Sequence, residues 1–163
     1  MQINYSIKTL LALLLICSCS KEENKISYNI KKRNPMVNYF LMQGNLFLKK
    51  HDFKKALALA DSAESYDLNK DDVYFFKGRV FSELGRFAKA DKAYNNTIKI
   101  NPNYIGAWNN LGNNAFRQQN FSQAVKYYKK ELNQNKTSIP FRALGRAYVE
   151  LGKTDSARIC FQH

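Results

Sequence analysis

From residue 35 onward the chain keeps a helical rhythm. An aromatic residue stands four positions before a glycine on four occasions: Phe40 and Gly44, Tyr74 and Gly78, Trp108 and Gly112, Phe141 and Gly145. Residues four apart share one face of an α-helix, so each pair marks a helix with a bulky and a minimal position side by side. The glycines recur at intervals of 34, 34 and 33 residues. Twelve residues after each comes an alanine: Ala56, Ala90, Ala124 and Ala157. A repeating supersecondary unit follows from such regularity.

Each unit divides at a short break: His51-Asp52, Gly85-Arg86, Gln119-Asn120 and Gly152-Lys153. An aromatic residue opens the second segment at Phe53, Phe87 and Phe121, with Thr154 in the fourth unit. The pattern predicts paired helices throughout residues 34–163. Asn34 ahead of Pro35 suits a helix start, and Asn120 with Gln123 suits a capping box. Glycine inside a helix costs roughly 0.5–1 kcal/mol against alanine. The expected compensation is close approach, with glycine and alanine facing one another and Trp108 filling the gap beside Gly112.

These residues resemble the tetratricopeptide repeat, a 34-residue helix–turn–helix unit. The third unit carries Trp108, Leu111, Gly112, Ala124 and Tyr128, with Ala115 in place of the family's tyrosine. The second keeps Tyr74, Gly78, Phe81, Ala90, Tyr94 and Pro102 but has Lys77 where leucine is usual. The first keeps Gly44, Phe47, Ala56 and Ala63, with departures at Gln43 and Ala60. The fourth keeps Leu144, Gly145, Tyr148, Ala157 and Phe161. The resemblance implies an all-α, right-handed superhelical solenoid with units at about 37–70, 71–104, 105–137 and 138–163, the last incomplete.

The first 33 residues follow a different pattern. One lysine, Lys8, precedes an apolar run from Leu10 to Cys17. Eight helical residues span about 12 Å, short of a hydrocarbon core of about 30 Å, so the run suits a signal peptide. Ile16-Cys17-Ser18-Cys19 resembles the lipobox of bacterial lipoproteins, which implies cleavage after residue 18 and lipidation of Cys19. An ordinary cleaved signal peptide with incidental cysteines is the alternative. Residues 19–33 read as a lipid-anchored flexible tether. The protein is thus expected to be exported and anchored to the bacterial cell envelope; Lys21-Glu22-Glu23 resembles the signal that sends some Gram-negative lipoproteins to the outer membrane, with a solvated charged tether as the alternative.

In a solenoid the first helices of successive units line a concave groove. The residues expected there are Asn38, Leu41, Met42, Asn45 and Lys49, then Phe75, Phe76, Arg79 and Glu83. Asn109, Asn110, Asn113 and Arg117 follow, and Arg142, Arg146 and Glu150 complete the set. The chosen peptide-binding residues are Asn45, Phe75, Arg79, Asn109, Asn110, Asn113, Arg117, Arg142 and Arg146. Asparagine amides both donate and accept, and arginine forks suit carboxylates. The expected role is a protein-interaction scaffold holding a peptide or partner protein. The family's chaperone-tail clamp is not expected, because Leu41, Phe75 and Phe76 occupy places that need polar residues.

Charge adds an alternative. The formal net charge is +13, and residues 104–163 hold nine Lys/Arg against Glu131, Glu150 and Asp155. That half could bind anionic lipid headgroups or acidic polysaccharide; nucleic acid fits an exported protein less well. No catalytic motif, metal spacing or cofactor signature occurs, so neither an enzyme nor a bound metal or cofactor is expected. Cys160, between Ile159 and Phe161, reads as a small core residue.

Overall fold

The computed structural model describes residues 34–66, 70–134 and 138–162. Cys19, the signal-peptide segment and the tether lie outside the described residues. Among the described residues there are eight α-helices and no strand. They pair as hairpins: α1 (Pro35–Lys49) with α2 (Phe53–Tyr66), α3 (Asp71–Glu83) with α4 (Phe87–Ile100), α5 (Ala107–Arg117) with α6 (Phe121–Gln134), and α7 (Ser138–Glu150) with α8 (Thr154–Phe161). Each hairpin meets only its immediate neighbours among the described residues, and the first helices α1, α3, α5 and α7 touch in sequence.

Local chemistry sets the helix boundaries. Asn34 Oδ1 accepts from Met36 N at 3.0 Å, and Pro35 sits in the first turn, where its missing N–H costs nothing. Asn120 Oδ1 accepts from Gln123 N at 3.2 Å, the expected cap of α6. At each break one residue has positive φ: His51 at 57°, Gly85 at 69°, Gln119 at 60° and Gly152 at 69°. The residue after it donates back across five positions, as in Arg86 N to Phe81 O at 2.9 Å and Asn120 N to Ala115 O at 2.8 Å. This is a Schellman closure, and glycine adopts it without steric cost.

The packing of the glycines corrects the sequence reading. Gly78 and Gly145 leave room for a ring from the second helix of their own hairpin. A methyl placed there would lie 2.5 Å from Tyr94 Cε1 at Gly78 and 2.6 Å from Phe161 Cε1 at Gly145. Tyr128 fills the same space over Gly112. Trp108 does not plug that gap; it stacks on Tyr127 with ring centroids 5.8 Å apart, under the Lys130 ammonium at 4.1 Å. The expected approach of glycine and alanine is seen in the first hairpin, where a methyl on Gly44 would lie 3.6 Å from Ala56 O, but the space over each of these glycines is filled by an aromatic ring. The first hairpin differs. Its second helix has Ala60 where the others have an aromatic, and Phe76 of α3 enters from the next hairpin to fill the space over Gly44.

Lys77 is likewise accounted for. It replaces an apolar residue, yet its ammonium reaches Asp61 at 2.6 Å and Glu64 at 2.5 Å on α2. Burial alone would lower its pKa, but the hydrogen bonds and charges of these carboxylates outweigh burial and leave it raised. A long stem spans the seam between hairpins while its head pairs at the edge. In the third hairpin buried Glu131 accepts from the backbone N–H groups of Gly106 at 2.7 Å and Asn109 at 3.2 Å, satisfying donors at the start of α5.

Candidate functional site: a polar trough along the first helices

Two clefts lie end to end against the first helices. One, of about 330 Å³, is lined by Ser82, Glu83, Asn110, Asn113, Phe116, Arg117, Tyr128, Ala143 and Arg146. The other, of about 270 Å³, includes Lys49, His51, Arg79 and Tyr94. They share Ser82, Glu83 and Asn110, which makes one trough lined by residues of all four hairpins. Its position follows from the repeat: Arg79, Asn113 and Arg146 each come directly after the glycine of their first helix and so recur at one register along the trough.

The arginines are braced. Arg79 Nη1 donates to Asn45 Oδ1 at 2.7 Å, linking α3 to α1, and Asn45 Nδ2 donates to Leu41 O at 2.8 Å. Arg117 Nη1 donates to Ser82 O at 2.8 Å while its guanidinium lies 4.9 Å from the Phe87 ring centre. Arg146 stands 5.1 Å over the Phe116 ring. Stacked, partly bonded guanidinium groups keep free N–H edges in a narrowed set of orientations, so less order is lost when an acceptor arrives.

The amides play unequal parts. Asn113 Oδ1 accepts the Tyr128 hydroxyl at 2.8 Å, which leaves its amide nitrogen without a protein acceptor among the described residues. Burial pushes the Tyr128 phenol up to about 12, so it remains a donor at any ordinary pH. Asn110 Nδ2 donates to Gly106 O at 2.7 Å. Under the trough floor Ser82 Oγ donates to Asn114 Oδ1 at 2.5 Å, and Asn114 Nδ2 donates to Asp91 Oδ1 at 2.7 Å. Burial raises the Asp91 pKa, opposed by the Asn114 hydrogen bond.

Of the nine residues expected to bind, Arg79, Asn110, Asn113, Arg117 and Arg146 line the trough and Asn45 braces it. Three lie elsewhere. Phe75 packs between Tyr94 and Tyr104, with ring centroids at 5.8 and 4.8 Å, because its apolar ring is better buried between hairpins than left in the groove. Asn109 has a buried Oδ1 with no hydrogen-bond partner among the described residues. Arg142 is exposed and lines neither cleft. Phe76, also expected there, is buried in the first hydrophobic cluster. Ser82, Tyr94 and Tyr128 were missed. The arc Phe75, Arg79, Ser82 continues one helical face and could have revealed the serine; the tyrosines come from the second helices, sixteen residues after their glycines.

No three His, Cys, Asp or Glu residues gather as a metal site among the described residues. Cys160 is buried and its thiol pKa is raised by burial, with Lys129 opposing, so the protonated form persists.

Residues 71–104 and 105–138 match family profiles described as tetratricopeptide repeat. The chain is 33% identical over 92 residues to human Tetratricopeptide repeat protein 6, a stretch covering 56% of this chain and 16% of that protein. It therefore spans about a sixth of that relative's length. Among solved structures, MamA superposes with a TM-score of 0.67 at 18% identity, covering 98% of this chain and 93% of MamA. The tetratricopeptide domain of Sgt2 from Aspergillus fumigatus gives 0.67 at 19% identity over 76% of this chain and 83% of that domain. The first tetratricopeptide domain of Spaghetti (RPAP3), solved with the HSP90 peptide SRMEEVD, gives 0.64 at 18% identity over 72% and 94%. The chain carries tetratricopeptide repeats, and its fold is their right-handed superhelical solenoid.

Proposed function

We propose that this protein is a lipid-anchored scaffold of the bacterial cell envelope that holds an extended peptide segment or partner protein in its trough. The observation that carries the binding reading is the continuous cleft lined by all four hairpins, with braced Arg79, Arg117 and Arg146 and the free amide nitrogen of Asn113 along it. Such donors suit the carbonyls and carboxylates of a peptide. The Spaghetti domain, of the same fold, holds a peptide with two glutamates and an aspartate, which supports a ligand of that general kind without assigning that tail here. Binding is the role that fits a trough in which guanidinium and amide donors predominate, with Glu83 as the carboxylate among them. The lipobox-like Cys19 supports anchoring, and residues 20–33 supply reach.

The test uses the full chain expressed in a Gram-negative host, with partners crosslinked in native membranes and identified by mass spectrometry. Asn113→Ala with Arg146→Ala should reduce recovery of the dominant partner about tenfold while circular dichroism stays unchanged. Equal recovery would remove the groove reading. Separately, Cys19→Ser should shift the protein to the soluble fraction, and retention at the membrane would count against the anchor.

A further inference from the structure

One hydroxyl in the trough wall lacks an acceptor. In the third hairpin the residue directly after the glycine, Asn113, offers Oδ1 to the Tyr128 hydroxyl at 2.8 Å. In the second hairpin that place is held by Arg79, whose side chain has N–H donors and no acceptor. Arg79 cannot receive a phenol proton, and its Nη1 turns to Asn45 Oδ1 at 2.7 Å. The Tyr94 hydroxyl is left buried with no partner among the described residues. Burial pushes its pKa up, so it stays protonated and keeps a hydrogen to donate. An acceptor arriving with a ligand would relieve this unpaired donor.

The surroundings say which acceptor. Tyr94 is part of the lining of the cleft of about 270 Å³, together with Lys49 at the end of α1, His51 in the turn after it, and Arg79. Two fixed positive charges, Lys49 and Arg79, face one carboxylate, Glu83, and His51 adds a further polar group. Arg79 acts on the Tyr94 phenol more strongly than any other charge, ahead of Asp91, Glu83 and Arg117. The cleft's own acceptors, the Glu83 carboxylate and the Asn110 carbonyl, make no hydrogen bond to that hydroxyl. A neutral carbonyl would satisfy the hydroxyl alone. A carboxylate brings a second oxygen for the free guanidinium edge of Arg79, and Lys49 favours its charge.

We infer that the Tyr94 hydroxyl is a specificity-determining group of the trough, selecting an aspartate or glutamate side chain where a peptide crosses from the first hairpin to the second. The inference rests on the groove reading and adds which residue of the peptide is read, and by which group. The reader belongs to a second helix, α4, rather than to the first helices. Its hydroxyl is closed to water in the free protein, so the carboxylate reaches it as the side chains lining the cleft part. In the third hairpin Asn113 already engages the matching hydroxyl, and that end of the trough carries no such preference.

The experiment immobilises the full chain, purified in detergent, and presents heptapeptide mixtures with random flanks and a fixed central glutamate, aspartate, glutamine or alanine. Mass spectrometry of the retained peptides should show glutamate or aspartate enriched about tenfold over glutamine. Tyr94→Phe should cut that preference to about twofold while its melting temperature stays equal to or above the parent's, a split that a merely structural tyrosine would not give. Arg146→Ala should lower the total retained with the preference intact. Retention without a preference for acid, or a preference that survives Tyr94→Phe, overturns the inference and leaves the groove reading standing. No retention of any mixture removes both. Retention that begins only once residues 1–33 are deleted makes that segment the occupant and overturns the inference as well.

Discussion

Tyr94 and Tyr128 occupy the same place in adjacent hairpins, and each lays its ring over the glycine of its own first helix. Their hydroxyls differ. Tyr128 donates to Asn113 at 2.8 Å, whereas the Tyr94 hydroxyl is buried with no partner among the described residues. The residue matching Asn113 is Arg79, whose guanidinium turns instead to Asn45. Two jobs are thereby separated. The ring belongs to the fold, and the hydroxyl reports what the groove helix places above it. The first hairpin completes the contrast, because it dispenses with the tyrosine and borrows Phe76.

The ring's share is the largest effect to test. Tyr128→Ala and Phe76→Ala should each cost about 3–5 kcal/mol in urea unfolding, since each leaves a void that neighbours cannot fill. Ala60→Phe should cost about 1–3 kcal/mol by crowding Phe76, and the double variant Ala60→Phe with Phe76→Ala should recover most of the loss. A double variant no better than the sum of its parts would break the idea that either hairpin can supply the ring.

Removing only the oxygen sharpens the contrast. Tyr128→Phe should lose about 1 kcal/mol with its hydrogen bond, whereas Tyr94→Phe should be neutral or gain up to about 1 kcal/mol by shedding an unpaired hydroxyl. Equal losses at both positions would mean that Tyr94 has a partner. A third variant probes the floor between them. The folded pKa of Asp91 is raised by burial, so its contribution to stability is full below the unfolded value near 4 and falls as pH rises through the folded value. Asp91→Asn keeps an acceptor for Asn114 and should remove that part of the pH dependence. The smallest change is Gln119→Gly, expected to add about 0.5–1 kcal/mol by relieving a positive φ that glycine adopts freely at Gly85.

Much of the fold was legible because the repeat exposes it four times. All four breaks fall where two-residue steps interrupt the pattern, and Phe53, Phe87, Phe121 and Thr154 open the second helices. What filled the glycine spaces was not legible. Trp108 lies four residues before Gly112 and Tyr128 sixteen after it, and only the crossing of two helices decides between them. The trough was partly legible for a related reason. Phe75 and Phe76 sit on the arc between the groove and the stacking seam, and burial of apolar area between hairpins, at about 25 cal/mol per Å², draws both rings into packing. Asn109 sits at the start of α5, where the loop and Glu131 fix the backbone.

The nearest-neighbour arrangement of the hairpins has a mechanical consequence. A load applied between the two ends of the chain passes through the hairpins in series, so they can give way one after another. Each yielding hairpin would release about 34 residues, or roughly 115 Å of extended chain. The clasp of Lys77 on Asp61 and Glu64, lying across the first seam, would make that joint sensitive to acid as well as to tension, because Glu64 loses its charge once pH drops through its lowered pKa. A solenoid of this kind can lengthen under strain without letting go at both ends.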